Sequence, residues 1–180
     1  MSQPATRVYT VGHGARSAAA LLAVLQPAGV ALVWDIRRFP GSRRHPQFSR
    51  SALATTLAEA GIGYEWEGAD LGGRRSRSAR SRHTALRNRA FAGYADHMDT
   101  AEFRAAVERL RDHAATVRLA IMCAETLWWH CHRMLVADAL TTRGVEVIHL
   151  LQPGQSQPHR PHPAGRRGDD GWPVYDVTTR

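Results

Sequence analysis

The chain has 180 residues, 43% of them hydrophobic and 22% charged, a balance that fits one globular domain with an ordinary core. Its formal charge of +8 rests on 24 arginines and no lysine, which excludes Schiff-base chemistry on a lysine and a Walker-type phosphate lysine. No apolar run approaches the roughly 20 residues of a membrane span. The polar stretch Met1 to Arg7 lacks the apolar segment of a signal peptide, so the expectation is a cytoplasmic protein with no membrane partner.

In chain order, Arg7 to Gly12 (RVYTVG) reads as a buried first strand. Ser17 can cap a helix through about Gln26, with Leu21, Leu22 and Leu25 on one face, and Pro27 and Gly29 stop it. Val30 to Ile36 is nearly all apolar, as a buried parallel strand should be. The run RRFPGSRRHPQF that follows is too rich in Pro, Gly and Arg to be regular. Ser49 or Ser51 starts a second helix to about Ala60, and Ile62 to Trp66 forms a third strand. Residues 71–90 form an irregular, arginine-rich stretch, and helical pattern resumes near Phe91. Thr100 caps a helix in which Phe103, Val107 and Leu110 share a face. Val117 to Cys123 is another buried strand, Cys131 to Thr142 a helix, and Val145 to Leu151 the last strand.

This alternation implies βαβ units. The expected fold is three-layer α/β/α with a mostly parallel sheet of about five strands, forming a single domain over residues 1–151. Residues 152–180 shift to Pro, Gly, His and Arg and read as a tail with little core of its own, in which Trp172 to Val177 can dock back as a short strand.

Ligands bind beyond the carboxyl ends of strands in such a sheet. Three motifs fall there: Gly12-His13-Gly14, Asp35-Ile36-Arg37, and Cys123-Ala124-Glu125 followed by Cys131-His132-Arg133. The glycines let the backbone turn tightly and approach a ligand; GHGARS lacks the third glycine of a dinucleotide fingerprint.

Several of these runs together carry a resemblance. TVGHG, DIRRFPGSRRHPQF, LGG at 71–73, FAGYADHM, TAEF and CAETLWWHCHR occur in order over about residues 7–150. In them the chain resembles the bacterial family known as domain of unknown function 488. It departs from that pattern at Trp128-Trp129 and in the arginine-rich stretch 74–90. The resemblance implies a fold and a shared site, not an activity.

The residues themselves set the candidate chemistry. Cys123 is read either as a small buried hydrophobe or as the reactive thiol. Cys131 lies at a helix N-terminus, where the dipole, Arg133 and His132 favour thiolate. The separation of the two cysteines lets their sulfurs meet as a disulfide switch. Glu125 is either a general base or a carboxylate paired with Arg37 or Arg133, and Asp35 carries the same ambiguity. His13 is either a proton carrier or a hydrogen-bonded loop histidine. The C-x7-C-H spacing is not that of a standard zinc site, so no metal and no cofactor is expected.

Arg37, Arg43 and Arg133 are the expected anion holders, since guanidinium forks suit carboxylate or phosphate. Residues 36–89 hold 12 arginines and 4 acidic residues, a net of +8, while the other 12 arginines and 12 acidic residues cancel. The expected partner is therefore an anionic small molecule or nucleotide-like ligand, handled by Cys123, Glu125 and His13. Two alternatives stand beside it: a nucleic-acid-binding accessory protein using the arginine-rich segment 36–89, and a metal-dependent hydrolase.

Overall fold

Four of the five parallel strands begin as short β-branched or apolar runs, and the computed structural model, which describes residues 6–177, shows what they build. Strand β1 (Arg7–Gly12) leads to α1 (Ala18–Leu25), β2 (Leu32–Asp35), a short 3-10 turn at Pro46–Phe48, α2 (Arg50–Glu59) and β3 (Gly63–Trp66). Then come α3 (Gly68–Leu71), α4 (Arg89–His97), α5 (Ala101–Ala114), β4 (Leu119–Cys123), a 3-10 turn at Trp128–His130, α6 (Arg133–Thr142) and β5 (Glu146–Gln152). Three further strands close the chain: β6 (Gln155–Pro158), β7 (Gly165–Arg167) and β8 (Pro173–Tyr175). The expected helix starts are in place, with the side chains of Ser17, Ser49 and Thr100 accepting from the first-turn amides of Ala20, Ala52 and Phe103; each such cap is worth about 1 kcal/mol.

The main sheet runs β3-β2-β4-β1-β5-β6. Its first five strands are parallel and β6 is antiparallel to β5. Side chains alternate across it, as the period of a strand requires. Val11, Val33, Ala120 and Met122 face a core shared with Leu21, Val24 and Leu25 of α1 and Leu53 and Leu57 of α2. Val8, Trp34, Ile121 and Cys123 face the opposite core, with α4, α5 and α6. The result is the expected three-layer α/β/α arrangement, with one more strand than the sequence pattern suggests.

Beyond β6, the segment around β8 returns to the second of these layers. Trp172 and Tyr175 join its core, the Tyr175 hydroxyl donates to Asp138 of α6 at 2.7 Å, and the Ala85 amide donates to the Tyr175 carbonyl. A buried chain of polar groups lies beneath: Thr10 Oγ1 to His149 Nδ1 at 2.6 Å, His149 Nε2 to His159 Nδ1 at 2.9 Å, and His159 Nε2 to Asp138 at 2.7 Å.

Candidate functional site

Parallel pairing fixes where the strand-end motifs go. Gly12 sits opposite Cys123 and Asp35 opposite Met122, so Gly12, Asp35 and Cys123 share the carboxyl edge of the sheet. The loops are then stitched together: the His13 amide donates to the Cys123 carbonyl at 3.0 Å, Gly14 to Ala124 at 2.9 Å and Ile36 to Met122 at 3.0 Å. Gly12 is required here. A Cβ on it would stand 1.8 Å from the Glu125 carbonyl oxygen, so no side chain fits beneath the β4–α6 loop. A Cβ on Gly14, at φ +53°, would stand 2.1 Å from the Thr126 hydroxyl oxygen.

The folded-back loop brings the two thiols together at 2.8 Å between sulfurs. Both are nearly buried, both line a cleft of about 220 Å³, and both are free cysteines. Their surroundings differ. Cys131 precedes α6, whose start has no side-chain cap; the Arg133 amide points at Cys131 Sγ instead, at 3.5 Å. Burial pushes the Cys131 thiol up, but the hydrogen bond with Cys123, the charge of Arg133 and that amide outweigh burial, and the thiol lies below its ordinary range. Cys123 goes the other way: burial and its contact with Cys131 push it well up, against the pull of Arg133. Of the two thiols, Cys131 is the more readily ionised and Cys123 the less.

Arg133 is only 1% exposed. One of its terminal nitrogens, Nη2, donates to the Glu125 and Thr126 carbonyls, both at 3.0 Å, clamping the loop. Its Nε and Nη1 are buried without a hydrogen-bond partner, and among the described residues no carboxylate pairs with it. His132 donates from Nε2 to the Ile36 carbonyl at 3.2 Å, which leaves Nδ1 facing Cys131 Sγ at 3.4 Å. Burial keeps this imidazole neutral by lowering its pKa.

The three expected anion-binding arginines do not line one cleft. Arg37 reaches its edge but is already matched by Asp35, with Nε at 2.8 Å and Nη2 at 2.6 Å from the two carboxylate oxygens. Its Nη1 donates to the Phe48 carbonyl at 2.8 Å. Tyr64 also donates to Asp35, at 2.7 Å. Arg43 is exposed on the loop before the Pro46–Phe48 turn and is not part of the cleft, and Arg133 is buried and does not line it. The arginines that do line the cleft are Arg37, Arg38 and Arg74, with Phe39, 63% exposed, between the latter two. Arg74 is, among the described residues, the one non-glycine with positive φ, at 59°, and its carbonyl accepts from Arg38 at 2.8 Å.

Strand alternation carries the missed signal. Trp34 and Ile36 face the Cys123 side of the sheet, so the next residue in that phase is Arg38, while Arg37 turns back toward Asp35.

His13 lies outside the cleft. Its Nδ1 donates to the Gly14 carbonyl at 2.9 Å, its Nε2 accepts from Arg37 at 3.3 Å, and the ring stacks on Phe48 at 4.3 Å between centroids. Burial pushes its pKa down to about 4 and Arg37 adds to that, so it is a neutral ring holding Arg37 in place. Glu125 is exposed on the cleft wall, and its side chain makes no ion pair with Arg37 or Arg133. Among the described residues no three His, Cys, Asp or Glu side chains are grouped to hold a metal, and no helix is long and apolar enough to cross a membrane.

Set against known proteins, residues 17–140 match the model of the family described as domain of unknown function DUF488. No curated protein and no solved structure gives a significant match to the chain.

Proposed function

The chain belongs to the DUF488 family, and we propose that its cleft is the active site of a thiol-dependent enzyme acting on an anionic small molecule, with Cys131 as the nucleophile. The observation that carries this reading is the buried guanidinium of Arg133, which has no carboxylate partner and whose charge acts on the two thiols lining the cleft. An unmatched buried cation is costly, and a thiolate beside it offsets that cost. The uncapped start of α6 adds its amide to the same sulfur. Arg38 and Arg74 supply the rim charge that receives the substrate's anionic group, since Arg37 is held by Asp35. Glu125, on the cleft wall, is the group in reach to exchange protons with a leaving group.

The test compares alkylation of Cys131 by iodoacetate and by neutral iodoacetamide near pH 7, read by peptide mass. The expected result is reaction of Cys131 with both, with the anionic reagent favoured. Arg38→Gln with Arg74→Gln should remove that preference while leaving the iodoacetamide rate nearly unchanged. A Cys131 inert to both reagents in the folded protein overturns the thiol mechanism; an unchanged preference in the arginine variant overturns the anion site.

A second reading has its own observation. Arg77, Arg80, Arg87 and Arg89 are exposed, and among the described residues none pairs with a carboxylate, whereas Arg82 is tied to Asp99 and Asp170, and Arg75 to the Gly72 and Ala69 carbonyls. Such free charge on one stretch suits the phosphate backbone of a nucleic acid.

A further inference from the structure

One thiolate is enough for acyl transfer or phosphoryl transfer, in which a covalent intermediate is released by water. The site holds something those reactions do not use. A second thiol, Cys123, stands 2.8 Å from the first, faces the same cleft, and is fixed at a strand end rather than on a mobile loop. From that separation the sulfurs need to approach by only about 0.8 Å to reach the bond length of about 2.05 Å in a disulfide. Residues flanking the two positions are held by the Gly12–Gly14 stitching and the Arg133 clamp, so both sulfurs are presented from a braced frame.

Resting on the thiol reading above, we propose that Cys123 is the resolving thiol and that the cleft carries out thiol–disulfide exchange on the disulfide of an anionic low-molecular-weight thiol. The steps balance without further groups. Cys131 thiolate attacks one sulfur of the substrate disulfide; that S–S bond breaks, the distal half leaves as a thiolate, and a mixed disulfide forms on Cys131. Cys123 then attacks Cys131 Sγ, the second half of the substrate is expelled, and the proton of Cys123 leaves with it as a thiol. The protein ends as the Cys123–Cys131 disulfide, oxidised by two electrons, and the substrate ends as two reduced halves. An external dithiol restores the protein by the same exchange in reverse.

The buried arginine suits both halves of this sequence. While Cys131 is the thiolate, Arg133 stabilises it; once Cys131 is tied up in the mixed disulfide, the same charge acts on Cys123, against which it is also placed. Substrate choice follows from the rim. Arg38 and Arg74 flank the exposed Phe39 ring, so a carboxylate-bearing disulfide with a flat or apolar body is the form the entrance accepts.

The experiment uses 5,5′-dithiobis(2-nitrobenzoate), an anionic aromatic disulfide, with neutral 2,2′-dithiodipyridine as control, on reduced full-length protein at neutral pH. The expected result is release of both thionitrobenzoate halves from each chain, a product lacking its two thiol hydrogens and carrying no adduct, and full recovery with dithiothreitol. Cys123→Ser should release one half and keep the other as a stable adduct on Cys131. Arg38→Gln with Arg74→Gln should slow the anionic reagent several-fold more than the neutral one. A wild-type protein that keeps a stable adduct on Cys131 overturns the resolving role and leaves the nucleophile reading standing. A protein that reacts with neither reagent, while alkylation of Cys131 also fails, overturns the nucleophile reading itself.

Discussion

Mild acid should destabilise this protein well before its carboxylates titrate. His13 and His149 are 3% and 1% exposed, and each is held neutral by its neighbours. Burial, countered in part by the Gly14 carbonyl, brings His13 from 6.5 to about 4; burial, with His159 and Arg133, brings His149 to about 3. The folded-state values are depressed, so unfolding takes up a proton at each ring once the pH falls below the unfolded value near 6.5. Stability is full above that value and is lost as the pH drops toward the folded values. The loss runs at about 1.4 kcal/mol per pH unit for each ring, which gives about 2 kcal/mol each and about 4 kcal/mol together between pH 7 and pH 5. His97 and His132, also lowered by burial, act in the same direction. Asp99, brought to about 2 by His83 and Arg82 in spite of its burial, acts with the carboxylates, in more acid solution. Against a typical domain stability of about 5–15 kcal/mol the effect is large. Urea unfolding at pH 7, 6 and 5 measures it. His13→Gln and His149→Gln should each remove about 2 kcal/mol of the pH dependence, whatever their stability at pH 7. A wild-type stability that is flat over this range, or a slope unchanged in both variants, refutes the reasoning.

Two further outcomes follow from the same geometry. Gly12→Ala places a methyl 1.8 Å from the Glu125 carbonyl oxygen, so the β4–α6 loop must lift and the clamp from Arg133 must break; the variant should lose about 3 kcal/mol or more in thermal or urea unfolding, and its thiol alkylation rate should fall toward that of an ordinary buried cysteine. If the exposed arginines bind nucleic acid, affinity for a mixed-sequence duplex should drop steeply from low to high salt and weaken when Arg77, Arg80, Arg87 and Arg89 become glutamine; binding that is absent at low salt removes this reading.

Much of the fold is legible in the chain because its layers obey simple periods. RVYTVG and LAIMC are apolar on both faces, as only buried parallel strands are. Ser17, Ser49 and Thr100 mark helix starts through a local hydrogen bond that needs no tertiary context. The last strands are a different case. QSQP and GRR have no apolar period; QSQP takes the open edge of β5, while GRR pairs with β8 in a separate two-stranded sheet, whose Tyr175 is held by the distant Asp138. The four-residue helix GADL is likewise set by packing rather than propensity.

At the site, topology makes the location legible and charge matching decides the roles. Parallel strands must deliver Gly12, Asp35 and Cys123 to one edge, so the place follows from pattern alone. Which arginine faces a ligand does not follow from composition: Arg37 is neutralised by Asp35, on the same side of the strand, and the next residue, Arg38, is left to the cleft. The tilt of ionisation toward Cys131 is legible beside it, in the helix start and Arg133, but its contact with Cys123 is not. Seven residues separate Cys123 from Cys131, and that loop closes because Gly12 leaves room under it and Arg133 grips its carbonyls from below. In sequence, CHR reads as a helix start whose arginine holds an anion and favours thiolate at Cys131. In the fold, the arginine is sealed inside with two N–H-bearing nitrogens unpaired and, among the described residues, no carboxylate beside it. Cys131, against the α6 amide and 2.8 Å from Cys123, is the neighbour proposed above to match its charge. In the function proposed above, the cost of burying Arg133 is what favours ionisation of Cys131 over Cys123.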